Sequence, residues 1–269
     1  MSAQLNEKVV SFARWYPLEH VMVGGVWVAV ASRDELVRAA QHDAALPAEG
    51  RRARLIFDAN GHGLSMAASD RAFAEVLGGG DVVHADGGFL ISASRMLAAR
   101  KIAERSATTD MIHDFATAGL SFYLLGATEQ VNARACELLR QTYPNLRIVG
   151  RRNGYFRREE EEAIIAEINE AQPDVLWVGL GKPLEQAFCL RNRNSFQAAW
   201  VVTCGGCYNY ITGDYERAPQ WMQNANLEWL HRMATRPKQL FWRYFTTTPH
   251  AFWLAATRSG KQIMVRGGI

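Results

Sequence analysis

Long apolar runs are missing from this chain. No segment of its 269 residues approaches the roughly 20 apolar residues that a membrane-spanning helix requires. The N-terminal stretch MSAQLNEKVVSFARWYPLEH also lacks a run long enough for a signal-peptide core, so the protein is expected to stay in the cytoplasm. Cysteine is scarce: the four present are expected to be reduced thiols in that compartment. Cys204 and Cys207 form a lone C-x-x-C, but no second pair or nearby His cluster completes a redox or zinc site. They read as small residues lining a turn. A charge excess is missing too, and a net charge of +3 gives no ground for a nucleic-acid partner. A Walker A motif, an early G-x-G-x-x-G turn and an Asp-x-Asp pair are all absent, so no cofactor or metal is expected.

What is present is alternation. Apolar strand-like runs exchange with helical patterns, the signature of an α/β fold with a mostly parallel sheet and helices on both faces. Val21 to Ala31 reads as the first strand region, and Arg33 to His42 as a helix with Ser32 as N-cap. Arg54 to Asp58 is a strand, followed by a loop through Asn60-Gly-His-Gly63 and one helix near Ser65 to Leu77. Asp81 to Ala85 is the next strand and places Asp86-Gly-Gly88 at its end. Phe122 to Leu125, Val175 to Val178 and Trp200 to Thr203 repeat the pattern and empty into Gly126, Gly179-Leu-Gly181 and Gly205-Gly206, while helices near Glu129 to Thr142 and Glu159 to Ala171 cover the sheet. In open α/β sheets ligands sit beyond such strand ends, so these loops are expected to converge on one crevice.

After Glu216 the composition changes. Arg217, Arg232, Arg236, Lys238, Arg243, Arg258, Lys261 and Arg266 are opposed only by Glu228, with Trp221, Trp229, Trp242 and Trp253 among them. This is the composition of a surface that meets lipid headgroups or phosphates. We therefore expect an α/β core over residues 1–216 and a helical, membrane-associating, active-site-covering appendage over 217–269, divided near Pro237. Lys261 and Arg266 read as exposed outer positions for the lipid. Leu227, Leu230, Trp242, Phe252 and Trp253 face either a membrane or the core.

Among the polar residues, Asp86 stands between His84 and two glycines. A carboxylate at a strand end beside bare backbone suits a general base; the same spacing also suits an Asp that bonds its own turn amides. Asp58 and Asn60 either orient a sugar or the base, or form an Asx turn. Gly179-Leu-Gly181-Lys182 is a candidate diphosphate cradle, although two glycines without the third are a weak signature.

Five segments carry a family resemblance: ADGGFLISASRML (Ala85 to Leu97), ERSATTD (Glu104 to Asp110), YPNLRIVGRRNGYF (Tyr143 to Phe156), DVLWVGLGKPLEQ (Asp174 to Gln186) and GDYERAPQWMQNANLEWLHRM (Gly213 to Met233). In this order they resemble successive blocks of the WecG/TagA/CpsF glycosyltransferases. The resemblance implies an inverting, metal-independent transferase with a Rossmann-like α/β core that passes a sugar from a UDP-sugar to a polyprenyl-diphosphate-linked saccharide during synthesis of bacterial exopolysaccharide or another surface polysaccharide. It implies that Asp86 is the base, with Asp58 and Asn60 beside it. Asn60 matches the family's Thr-x-Asn element while Asp58 replaces the Thr, and the Pro-x-Gln-Glu element reads Pro183-Leu-Glu185-Gln186 in exchanged order. The Gly expected ahead of the second Asp is Thr108. These departures are expected to mark a donor other than the N-acetylmannosamine type.

The candidate substrate- and UDP-binding residues are then Gly87, Arg95, Gly126, Gly179, Gly181, Pro183, Glu185, Gln186, Gly205, Gly206, Arg217, Arg232 and Arg243. The expected partners are a UDP-sugar, a lipid-linked acceptor, the cytoplasmic face of the bacterial inner membrane and a second copy of the chain in a homo-oligomer. Two other classes remain open: a non-catalytic, membrane-associated nucleotide-sugar sensor, and a nicotinamide-dependent oxidoreductase, which lacks its glycine fingerprint near Val21 to Ala31.

Overall fold

The computed structural model describes residues 15–47, 52–225, 227–235 and 237–266, with the side chains of Asn224, Lys238 and Gln239 excepted. Residues 1–14 of the N-terminal stretch, Arg236 and the Lys238 side chain therefore lie outside the described residues.

The chain opens on a hairpin. β1 (Leu18–Val23) and β2 (Val26–Ala29) pair antiparallel, so the single strand region expected from Val21 to Ala31 is two strands. Gly24 and Gly25, at φ +60° and +87°, supply the left-handed pair that a two-residue hairpin turn needs. α1 (Arg33–Ala44) follows, closed by a capping box between Ser32 and Glu35. β3 (Arg54–Ala59) leads into α2 (Gly61–Ser69) and α3 (Arg71–Gly78), in place of the one helix expected. Asp70 divides them: its carboxylate accepts from the amides of Ala72 and Phe73 and starts α3 afresh.

Next come β4 (Val82–Ala85), α4 (Gly88–Leu97) and α5 (Thr108–Ala116), then β5 (Phe122–Gly126), α6 (Glu129–Thr142) and β6 (Ile148–Arg152). α7 (Glu161–Ala171), β7 (Val175–Gly179), α8 (Leu184–Arg191), β8 (Trp200–Thr203) and α9 (Cys207–Thr212) complete the core. The tail contains α10 (Gln220–Asn224), α11 (Glu228–Thr235), α12 (Pro237–Arg258) and β9 (Ile263–Arg266). Pro237 opens α12 at a position where its missing amide costs nothing, which gives the division expected there.

Six strands in the order β4-β3-β8-β7-β5-β6 form a wholly parallel sheet. Every residue of β3, β5, β7 and β8 is buried, as a sheet covered on both faces demands. Side chains alternate between two apolar layers: Leu55, Phe57, Leu176, Val178 and Val201 belong to one, and Ile56, Trp177, Trp200 and Val202 to the other. β6 has no counterpart in the sequence reading. It is an edge strand that buries only Ile148 fully, and its Gly150 lies so close to the Tyr123 ring that a Cβ would come within 2.4 Å.

A second sheet, β2-β1-β9, joins the start of the chain to the end of the tail, with Leu18 opposite Arg266. Arg266 is thereby half-buried and donates to the Gly80 carbonyl at 2.7 Å, so it is not the free outer position that the sequence implied. α12 lies against α2, with Ser65 and His250 hydrogen-bonded at 2.8 Å, and against α4, where the Phe89 and Phe252 rings meet edge to face at 4.8 Å.

Candidate active site

The carboxyl ends of β3, β4, β7 and β8 form the floor of the site. Period-two alternation puts Asp58 and Asn60 on one face of β3 and its extension, and the parallel register sets Asp58 beside His84 and Ala59 beside Ala85. Asp86 therefore emerges next to Asn60. The Asp86 amide donates to the Ala59 carbonyl at 2.8 Å, which fixes its backbone. Its carboxylate is held more loosely, by the Thr108 amide at 3.3 Å and the Asn60 amide nitrogen at 3.5 Å. Asn60 also caps α2 by accepting from Gly63 at 3.0 Å, so one side chain both closes the turn and reaches the Asp86 carboxylate. Gly87 caps α4, and a Cβ there would lie 3.3 Å from that of Asn60.

Burial pushes the Asp86 carboxyl upward, but the Arg232 guanidinium, the Lys182 ammonium and the Asn60 hydrogen bond outweigh it and hold the group below the usual carboxylate range. Asp86 is half-buried, and its ionised carboxylate keeps acceptor capacity that the Thr108 and Asn60 contacts do not use. Lys182 pairs with Asp58. Burial disfavours its charge, and Asp58, Asp86 and Glu185 reverse that balance and raise its pKa. Thr203 Oγ1 donates to the other Asp58 oxygen at 3.5 Å.

The glycine turns are packed tightly. At Gly126, with φ +136°, a Cβ would fall 2.2 Å from the Gly179 carbonyl, and at Gly179 it would fall 2.9 Å from that of Gly205. Gly206 opens α9 against the Tyr215 ring. Glu185, 1% exposed, joins two of these turns: one carboxyl oxygen accepts from the amides of Gly181 and Gly205, each at 3.0 Å. Burial, reinforced by Asp58, pushes its pKa up to about 7 against the opposing pull of Lys182 and the two amides. Pro183 caps α8, and the buried Gln186 donates to Glu185 at 3.3 Å.

The tail supplies cations. Arg232, on α11, lies over the Tyr210 ring and 3.8 Å from Glu228. Arg243, on α12, acts on His62, whose pKa burial, Arg243 and Lys182 lower to about 4. Arg217 is engaged elsewhere, with Asp110 at 2.7 Å and Gln223 at 3.0 Å, in a network that includes Arg105 and Glu228. Arg95 is exposed in the last turn of α4, roughly 10 Å along the helix from Gly88, and does not join the others. Lys182 entered the sequence reading as the last residue of the Gly179-Leu-Gly181-Lys182 cradle, and His62 only as part of the loop through Asn60-Gly-His-Gly63. The signal for Lys182 was its place in the glycine turn that follows β7; His62 gave none.

Cys204 and Cys207 are buried in the apolar layer beneath the site, and burial raises both thiols. Among the described residues no group of three His, Cys, Asp or Glu side chains is placed to hold a metal ion. None of the described helices is long and apolar enough to cross a membrane. The tail does expose Phe241, Trp242, Phe245 and Trp253.

Two comparisons bear on this arrangement. The family model described as "Glycosyl transferase WecG/TagA/CpsF family" matches residues 21–263. The N-acetylglucosaminyldiphosphoundecaprenol N-acetyl-beta-D-mannosaminyltransferase of Bacillus subtilis (strain 168) is 29% identical over 182 residues, which cover 66% of this chain and 68% of the relative.

Proposed function

The chain belongs to the WecG/TagA/CpsF family of glycosyltransferases, and from that premise we propose that it moves a sugar from a UDP-sugar to a saccharide carried on a polyprenyl diphosphate. Transfer inverts the anomeric carbon and needs no metal. The activity for which the Bacillus subtilis relative is named supports a lipid-diphosphate acceptor, and the product belongs to a cell-surface polysaccharide.

Asp86 carries the reading. It is the half-buried carboxylate that cations keep ionised at the open end of the sheet. In the proposed step it takes the proton of the acceptor hydroxyl as that oxygen bonds to the anomeric carbon. The bond from that carbon to the UDP oxygen breaks on the opposite face, and its electron pair leaves with UDP. Arg232 and Arg243 meet the charge that gathers on the diphosphate, while Asn60 and Asp58 orient the base and the sugar. The exposed aromatic face of α12 with the neighbouring basic residues rests on the cytoplasmic face of the inner membrane.

Purified protein incubated with a panel of UDP-sugars and a polyprenyl-diphosphate-linked acceptor tests this. The expected result is UDP release with an inverted product, undiminished by EDTA. Release that requires added Mg²⁺ or Mn²⁺ sinks the metal-free step, and binding of a UDP-sugar without turnover on any acceptor favours a sensor instead.

A further inference from the structure

Several nitrogens at the start of α2 have no partner among the described residues. His62 Nδ1 and Arg243 Nε are buried there without a hydrogen bond. The first two amides of α2, those of Gly61 and His62, have no acceptor among the described residues, whereas Asn60 satisfies the next two. Lys182 carries three ammonium protons, of which Asp58 takes one. A buried nitrogen without a partner is costly, and here two such nitrogens, one on α2 and one on α12, stand near the Lys182 ammonium.

The neighbouring glycine turns cannot serve the same purpose, since their amides at Gly181 and Gly205 already donate to Glu185. We propose that His62, Lys182 and Arg243 form a diphosphate-binding subsite at the N-terminus of α2, with one cation from the core and one from the tail helix. That the diphosphate arrives on a sugar donor or a lipid rests on the transferase reading; the subsite itself does not. His62 is neutral at pH 7, because burial, Arg243 and Lys182 all disfavour its charge, and it can therefore donate Nδ1–H to a phosphoryl oxygen without adding to the repulsion between the cations. The other charged groups around the cleft are Asp58, Asp86 and Glu185, whose carboxyls bear on Lys182, and Arg232, which bears on Asp86. A bound diphosphate gives Lys182 and Arg243 a shared anion, and its field raises the pKa of His62.

The test is calorimetric titration of the full chain with pyrophosphate at pH 7, alongside an NMR titration of the His62 ring. Losing one charge-assisted bond should weaken pyrophosphate about tenfold or more in Lys182→Met and in His62→Leu. His62→Asn, whose side-chain amide can replace the Nδ1–H, should recover most of the affinity. Because Lys182→Met leaves Asp58 buried without its partner, Asp58→Asn/Lys182→Met is measured too, and melting curves confirm that each variant is folded. Pyrophosphate should also raise the His62 pKa from about 4. UDP and geranyl diphosphate then identify the source: the ligand whose affinity falls with these variants is the one the subsite holds. Folded variants that bind pyrophosphate within about twofold of wild type, or a His62 ring that does not respond, overturn the subsite. Wild-type protein that binds pyrophosphate here but neither UDP nor geranyl diphosphate leaves the subsite standing and sinks the transferase reading.

Discussion

The two ends of β3 each carry a carboxylate–cation pair, fully buried at one end and part-open at the other, and the two are built differently. At the start of the strand, Arg54 donates to Asp43 at 2.9 Å, with the two side chains 0% and 1% exposed. The same Asp43 oxygen accepts from the Trp200 indole at 2.7 Å, and the other accepts from the Tyr16 amide at 2.8 Å and bonds His42 at 3.1 Å. At the far end, Asp58 pairs with Lys182 beside an Asp86 whose two contacts measure 3.3 and 3.5 Å. One carboxylate has its acceptor sites filled; the neighbourhood of the other keeps donors and acceptors in reserve. A filled network holds a fold, whereas an unfilled one can receive a ligand.

Substitution at each end should break a different property. Asp86→Asn should lower transfer by about 10²–10⁴, because an amide cannot take the hydroxyl proton, while its melting curve stays near wild type. Wild-type turnover in a variant whose chemical step limits the rate would remove Asp86 as base. Asp43→Ala should do the reverse. It strands the Arg54 charge in the core and should cost about 3–5 kcal/mol of stability in urea unfolding, leaving the turnover of the folded fraction intact. A loss below about 1 kcal/mol would place that pair among those of little net worth.

Glu185 sharpens the contrast through pH. Its folded pKa, raised from 4.5 to about 7, means that the native state holds a proton the unfolded chain releases. Stability from this group is therefore full below about pH 4.5 and declines as pH rises toward 7, by about 3 kcal/mol at about 1.4 kcal/mol per unit. Glu185→Gln can still accept from both glycine amides and should flatten that decline, as unfolding at pH 5 and pH 8 would reveal. An equal decline in the variant would exonerate Glu185. The smallest effect is expected at the periphery, where Lys261 is exposed. Lys261→Glu should weaken flotation with anionic vesicles by about 1 kcal/mol per unit of charge removed and leave transfer to a soluble acceptor unchanged.

Much of this was legible in the sequence, and the rest was hidden for physical reasons. The buried parallel strands announce themselves as apolar runs ending in glycine, and Asp86 is conspicuous because its strand stops one residue before it. β6 escaped because an edge strand buries one face only, and Arg151 and Arg152 interrupt its pattern. The division between α2 and α3 depends on the local chemistry of Asp70, which outweighs a continuous helical periodicity. Lys182 and Asp58 are 124 positions apart, and His62 acquires its setting from α12; spacing along the chain carries no trace of either meeting. Arg217 was a candidate as the first cation of the basic tail, and its pairing with Asp110, 107 positions away, left no trace in the spacing.

The pairing of β9 with β1 has a mechanical consequence. The tail leaves the core after β8 and is fastened again at Ile263–Arg266, so it is a strap held at both ends, and it cannot swing open about one hinge. Truncating it anywhere removes β9, one of the two partners of β1, together with whatever helices lie beyond the cut. A chain shortened after Arg217 would present the bare edge of β1, and such an edge recruits other strands. Self-association of the truncated protein would then mimic a loss of function that has nothing to do with Arg232 or Arg243, which makes point substitution within the strap the cleaner probe of what it contributes.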